Sequence, residues 1–139
     1  MAVGPPGHLG PFVVRAVAIM MAGTAIIDRF LVHLTDYRRV PIDPKSVYYL
    51  EADGDTTLVR TRSARRFRDV RGLGEVLPAY LPHGIIRVHR GHAVNLRRVR
   101  EIVRRARGEH WQLRLQPPVG KILPIGEKHL RALWRAYGN

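Results

Sequence analysis

The sequence contains no cysteine, which excludes disulfide staples, thiolate-bound metal and thiol-based redox sensing. Acidic residues are sparse, 11 against 24 Lys plus Arg, and an enzyme needs a positioned acid, base, nucleophile or metal. The one acidic cluster, Glu51, Asp53 and Asp55, lacks the further ligands of a calcium loop and reads as a solvated turn. His83, His89 and His92 follow no common zinc spacing and bring no fourth ligand. Neither a catalytic centre, a metal site nor a bound cofactor is expected. A long hydrophobic run is also missing: the apolar stretch after Arg15 is shorter than the ~20 residues a bilayer span requires. No basic region leads it as in a signal peptide, so stable membrane insertion is not expected.

What is present is positive charge, a formal +13 on 139 residues. A charge that large implies a polyanionic partner, and nucleic acid and an anionic membrane surface both qualify. Lysine is almost absent from it, only Lys45, Lys121 and Lys128, and Arg brings the planar fork that phosphates and guanine edges accept bidentately. With 45% apolar residues the chain can build one modest core. Two regions are expected. Residues 1–27 form a Gly- and Pro-rich leader followed by a short apolar segment, and residues 28–139 form the folded domain. Residues 12–27 suit a helix covering a hydrophobic patch, an over-extended gene start with Met20 or Met21 as the true one, or a docking segment for a protein or small ligand.

From Arg29 the apolar period becomes that of strands. Phe30, Val32 and Leu34 alternate with Leu31 and His33, a turn follows at Thr35, Asp36 and Tyr37, and a second strand runs over 38–42. A second hairpin joins 46–51 to 56–61 through Asp53, Gly54 and Asp55. Further strands are expected over 85–89, 99–104, 110–116 and 121–125, with turns at 107–109 and at Pro117 and Pro118. Two short helices complete the pattern: one over 70–77, stopped by Pro78 and weakened by Gly72 and Gly74, and one on the stripe Leu130, Leu133, Trp134 and Tyr137. The fold class is therefore mainly β with two short helices.

Three blocks in this order carry a family resemblance. The first is Val47-Tyr48-Tyr49-Leu50-Glu51-Ala52-Asp53-Gly54-Asp55. The second is Ile86-Arg87-Val88-His89-Arg90-Gly91-His92-Ala93-Val94-Asn95-Leu96, and the third is Leu123-Pro124-Ile125-Gly126-Glu127-Lys128-His129-Leu130. Together they resemble the LytTR family of bacterial transcriptional regulators. The resemblance implies an elongated stack of antiparallel sheets that inserts loops, rather than a recognition helix, into successive major grooves of double-stranded DNA. It further implies two copies on paired sites, a cytoplasmic, nucleoid-associated protein, and DNA contacts at Lys128 and around Thr56 and Thr57. The chain has no room for the receiver domain that many members carry. Its departures from the pattern are Gly91 and Gly126, where the family usually has Ser, and Glu127, which sets a negative charge beside Lys128.

On physical grounds Arg90 is the leading candidate for reading a base, with Arg87 and His89 beside it and His92 across the turn. Asn95 has the donors and acceptor to pair with adenine, or equally to tie a turn to its neighbour. His89 suits either a phosphate contact or a packed, hydrogen-bonded position. Arg97 and Arg98, with Arg65, Arg66, Arg68, Arg100, Arg104, Arg105 and Arg107, suit backbone contacts that fix register without reading sequence. Two other readings compete. A basic RNA-binding protein would expose aromatics for stacking, and a membrane-surface module would lay residues 12–27 on lipid.

Overall fold

The computed structural model describes residues 28–35, 37–63, 65–105 and 110–138. The apolar segment 12–27, Asp36 and the turn expected at 107–109 lie outside the described residues.

Three antiparallel sheets and two short helices make up the described fold. Strands β1 (Phe30–His33) and β2 (Arg39–Ile42) form a hairpin, and β3 (Val47–Asp53), β4 (Thr56–Thr61), β5 (Arg66–Asp69), β6 (Ile85–His89) and β7 (His92–Asn95) form a five-stranded sheet in the order β5-β4-β3-β7-β6. The third sheet has the order β10-β9-β8, from β8 (Val99–Arg104), β9 (Trp111–Leu115) and β10 (Ile122–Ile125). Helix α1 (Leu73–Tyr80) lies between β5 and β6, and α2 (Leu130–Ala136) closes the chain.

The five-stranded sheet is covered on both faces, so its central strand β3 is buried through four consecutive residues, Val47, Tyr48, Tyr49 and Leu50. One core joins Val47, Leu50 and Val59 to Val32 of the hairpin and to Leu73, Val76 and Tyr80 of α1. The other joins Tyr48, Tyr49, Val88 and Val94 to Leu113, Leu115, Leu123 and Ile125 of the third sheet and to Leu133 of α2. Strand alternation alone would send Tyr48 and Tyr49 to opposite faces. A register shift between Val47 and Tyr49 against β4 inserts one extra residue, and both rings enter the same core. Fully burying side chains of this size stabilises the fold by roughly 1.5–3 kcal/mol each.

The first helix departs from the sequence expectation. It runs over 73–80 rather than 70–77, and Pro78 lies inside it instead of ending it. The buried stripe Leu73, Val76, Leu77 and Tyr80 has the i, i+3, i+4, i+7 spacing of one helical face. Pro78 sits on the opposite, exposed side, and Gly74 one turn earlier is exposed as well, so the ring meets no side chain there. Gly72 is the extended N-cap residue and carries no helix-interior cost. Two strands had no clear pattern in the sequence: β5 offers Phe67 as its only apolar residue, and β7 is only four residues long.

Candidate nucleic-acid interface

The register of the five-stranded sheet decides which loops meet. Glu51 of β3 pairs with His92 of β7, and the backbone N–H of Ala52 donates to the carbonyl of Gly91 at 2.8 Å. The turn at Arg90 and Gly91 therefore lies at the same end of the sheet as the β3–β4 turn at Gly54 and Asp55, where Gly54 supplies a φ of +60°. The segment leaving β10 is stitched to this end too, because the N–H of Gly126 donates to the Val88 carbonyl at 2.7 Å. Three loops from distant parts of the sequence thus share one end of the fold.

Arg90 is exposed at the turn, and Lys128 is exposed on the single 3-10 turn Glu127–His129 that leads into α2. Together with His89, His129 and Glu127 they line one shallow, open notch. His89 is half-buried and its Nδ1 accepts the Gly91 N–H at 3.2 Å, so the ring braces the turn that presents Arg90. Arg87 lies within β6 rather than on the turn, half-buried, with its Nε enclosed and unpaired. His92 is also half-buried, its Nε2 lying 3.5 Å from a carboxylate oxygen of Glu51 and its ring 5.5 Å from that of His89. Burial is the main force holding the His92 pKa below the ordinary imidazole value, with His89 and Lys121 adding to it against the opposing pull of Glu51. For His129 the same direction comes first from burial and then from Lys128, Arg87 and His89. Gly126 permits this packing: a Cβ there would lie 3.0 Å from Cδ2 of His129.

At the β3–β4 turn, Thr56 donates to the Asp53 carbonyl at 2.8 Å, and one guanidinium nitrogen of Arg68 reaches both the Asp53 carboxylate and the Thr56 hydroxyl. Thr57 belongs elsewhere. It is fully buried and donates to the Arg71 carbonyl at 2.9 Å, because alternation on β4 turns Thr57, Val59 and Thr61 inward and Thr56 outward. Its side chain is a strut and is withdrawn from the candidate surface.

Asn95, Arg97 and Arg98 lie at the other end of the sheet. Four residues of β7 separate them from the Arg90 turn, a rise of roughly 10 Å. Asn95 is 2% exposed, donates to the Val47 carbonyl and accepts from the Arg97 N–H, both at 3.0 Å. Of its two roles, the structure adopts the turn tie. The Arg97 guanidinium donates to the His83 carbonyl at 3.2 Å. Arg98 donates twice to the Lys45 carbonyl, at 3.2 and 2.6 Å, and its guanidinium lies 5.0 Å from the centre of the Tyr48 ring. These two arginines buttress the far end while leaving a solvent-facing side.

Glu51, read from the sequence as part of a solvated acidic turn, and Arg68, read as a backbone-contacting arginine, instead lie against His92 and Thr56. His129, a member of the third block that sequence reasoning did not single out as a site residue, lines the notch with Arg90 and Lys128. Among the described residues no group of three or more His, Asp or Glu side chains is placed to hold a metal ion, and no helix is long and apolar enough to cross a membrane.

Comparison with known proteins matches this architecture. The model of the LytTr DNA-binding domain family matches residues 37–138. Among solved structures, the chain is similar to the LytTr DNA-binding domain of a putative methyl-accepting/DNA response regulator from Bacillus cereus. The TM-score is 0.66 at 20% identity, over 82% of this chain and all of that one. No curated protein matches. Since the family model spans well over half of the sequence, the chain belongs to the LytTR DNA-binding domain family.

Proposed function

We propose that this protein binds double-stranded DNA sequence-specifically and regulates transcription. The single observation that carries the reading is the meeting of the Arg90 turn and the Lys128 loop, bridged by the Gly126–Val88 hydrogen bond, at one end of a sheet rigidly packed on both faces. A rigid pair of projecting loops suits entry into a major groove, which is about 12 Å wide. Arg90 reads a guanine edge through O6 and N7, Lys128 and Thr56 contact the flanking backbone, and His89 and His92 hold the reading turn rather than touch DNA. Arg60, Arg66 and Arg68 on neighbouring strands extend the basic face, with Arg60 and Arg66 directly paired across β4 and β5. Arg97 and Arg98 reach phosphates only from the far end. The binding unit is residues 28–139, it occupies paired sites as two copies, and it acts in the cytoplasm on the nucleoid.

Duplex DNA is favoured over single-stranded RNA by the placement of the aromatics. Tyr48 and Tyr49 are buried, and Trp111 and Trp134 pack edge to face with centroids 5.2 Å apart. Among the described residues the exposed aromatics are Tyr37, on the first hairpin turn, and Tyr137, tied to the Leu96 carbonyl; they lie on separate elements and not as the row of stacking rings that single-stranded recognition uses. The test is selection from random duplex pools at near-physiological salt with the full chain and with Arg90→Ala. The expected outcome is an enriched, repeated motif whose affinity falls by about 5- to 100-fold in the variant. Binding without a motif, unchanged in Arg90→Ala, would overturn the reading.

A further inference from the structure

We infer that Glu127 is a specificity-determining residue of the reading surface, accepting a hydrogen bond from the exocyclic amine of a cytosine in the major groove. The inference rests on the duplex-reading function proposed above. Its basis is the position and isolation of this carboxylate. Glu127 is exposed and lines the same notch as Arg90 and Lys128. Six of the nine described carboxylates lie close to a cationic or imidazole partner, Asp28 with His83, Asp43 with Arg29, Glu51 with His92, Asp53 with Arg68, Asp69 with Arg71 and Glu101 with Arg114, and the other three are Asp55, Glu75 and Glu127. Among the described residues, Glu127 forms no ion pair and accepts no hydrogen bond, and of these three it alone lines the notch with Arg90 and Lys128.

The one local role of Glu127 is that of an acidic residue in the first turn of the helical segment entering α2, a weak, exposed contribution that does not fix the side chain. The carboxylate takes no backbone N–H of the 3-10 turn it opens, and α2 begins three residues later behind His129 with no side-chain cap at all. Facing a duplex, an unpaired carboxylate is repelled by phosphates, so it is tolerated only where it meets a donor. In the major groove, guanine presents the acceptors N7 and O6, and thymine presents O4 and a methyl group. Adenine places its N7 acceptor beside the N6 amine, whereas cytosine offers the N4 amine as its only polar group. A carboxylate is therefore repelled by guanine and thymine, partly opposed by adenine, and matched by cytosine. Arg90 across the notch has the opposite preference, for guanine. The two side chains form a complementary pair of readers on adjoining loops.

The test uses the full chain and the variants Glu127→Ala and Glu127→Gln, each selected against random duplex pools, with binding to single-base substitutions of the recovered site. The wild type is expected to enrich cytosine at one position and to lose about 5- to 100-fold in affinity when that base is changed. Ala flattens that position, and Gln, whose amide matches adenine N6 and N7, moves it toward adenine. Both variants bind unrelated duplex severalfold more tightly, because a repulsive charge is gone. If the wild type and both variants return one and the same motif, Glu127 is a mere repulsive charge and the inference is overturned while sequence reading stands. If the wild type returns no motif, both readings fall.

Discussion

Replacing Asp69 by Asn tests how the candidate interface is held from behind. Asp69 ends β5 and is 1% exposed. One oxygen accepts the Arg71 backbone N–H at 2.9 Å and the Arg71 Nε at 3.0 Å. The other accepts the Arg71 Nη2 at 2.9 Å and the backbone N–H of His33 at 3.2 Å. Both oxygens are thus saturated by donors, and the site ties β5 to β1 and, through the Arg71 carbonyl, to the buried hydroxyl of Thr57. Burial alone would raise the carboxyl pKa, but the Arg71 guanidinium and the backbone donors of Arg71 and His33 overcome it and hold the group below its ordinary value. In Asp69→Asn one oxygen becomes an NH2 pointing at two donors, and Arg71 loses its counter-charge. Two charge-assisted bonds at about 1.5–3 kcal/mol each, partly recovered by water on the Arg71 side, give an expected loss of about 3–4 kcal/mol. Urea unfolding followed by the fluorescence of Trp111 and Trp134 measures it, with an unchanged denaturant slope. A carboxyl with a depressed folded pKa stabilises fully above its unfolded value and loses that stabilisation as the pH falls through the folded one. The gap between wild type and variant therefore persists at neutral pH and narrows only below about pH 4. A loss under about 1 kcal/mol at pH 7, or a gap that does not change down to pH 3, would refute the reasoning.

Two further outcomes follow from the same surface. His92 and His129 both have depressed pKa values and are neutral at pH 7, while a nearby phosphate favours their protonated forms. Duplex binding should therefore take up protons, and log affinity should rise as the pH falls below neutral, with a limiting slope of about 1 per pH unit for each histidine that titrates. Fluorescence anisotropy at fixed ionic strength reads this slope, which His129→Gln reduces. Folding has the opposite sign, because a depressed histidine binds fewer protons in the native than in the unfolded state and stability declines as pH drops below about 6.5. At the two glycines, a Cβ on Gly91 would meet His89 Nδ1 at an ordinary 3.7 Å, whereas one on Gly126 would press His129 at 3.0 Å. Gly91→Ser should keep the melting temperature and tighten duplex binding by about two- to tenfold through the added hydroxyl. Gly126→Ser should cost about 1 kcal/mol in a thermal melt by displacing the ring.

The elements legible in the sequence were those whose burial is one-sided. β4 and β10 alternate inward and outward residue by residue, and both hairpin turns carry their own signals. β3 was legible as a strand, but not its bulge, because two adjacent tyrosines look the same whether they share a face or not; the shift in register against β4 decides it. β5 was hidden because an edge strand needs only Phe67 to anchor it and can be charged elsewhere. Pro78 misled because its effect depends on which face it occupies, which a stripe read as Val70, Leu73 and Leu77 places wrongly. At the candidate site, the turn at Arg90 and the loop at Lys128 were legible as motifs. That Arg97 and Arg98 lie at the far end follows only from knowing that β7 is a full strand, so that proximity in sequence becomes separation in space. Thr57 was misplaced for the converse reason, one residue of alternation separating a surface hydroxyl from a buried one.

Asn95 decides whether the second sequence block is a single reading surface or a reader joined to its support. It is buried, and it bonds two backbone groups, the Val47 carbonyl of β3 and the Arg97 N–H that opens the 3-10 turn Leu96–Arg98. Asn95→Ala removes both bonds, with water reaching the freed groups only from the cavity that Asn95 lines with Arg97 and Arg98, at an expected cost of about 1–2 kcal/mol. Since the residue lies a strand's length from Arg90, the recovered DNA motif should be the same as that of the wild type once the variant is measured well below its melting temperature. A side chain that paired with adenine would behave oppositely, with a small stability change and a lost preference at one position. Measuring unfolding and motif together on the one variant separates these outcomes, and a changed motif with unchanged stability would move the DNA-reading surface to the far end of the sheet, beside Arg97 and Arg98.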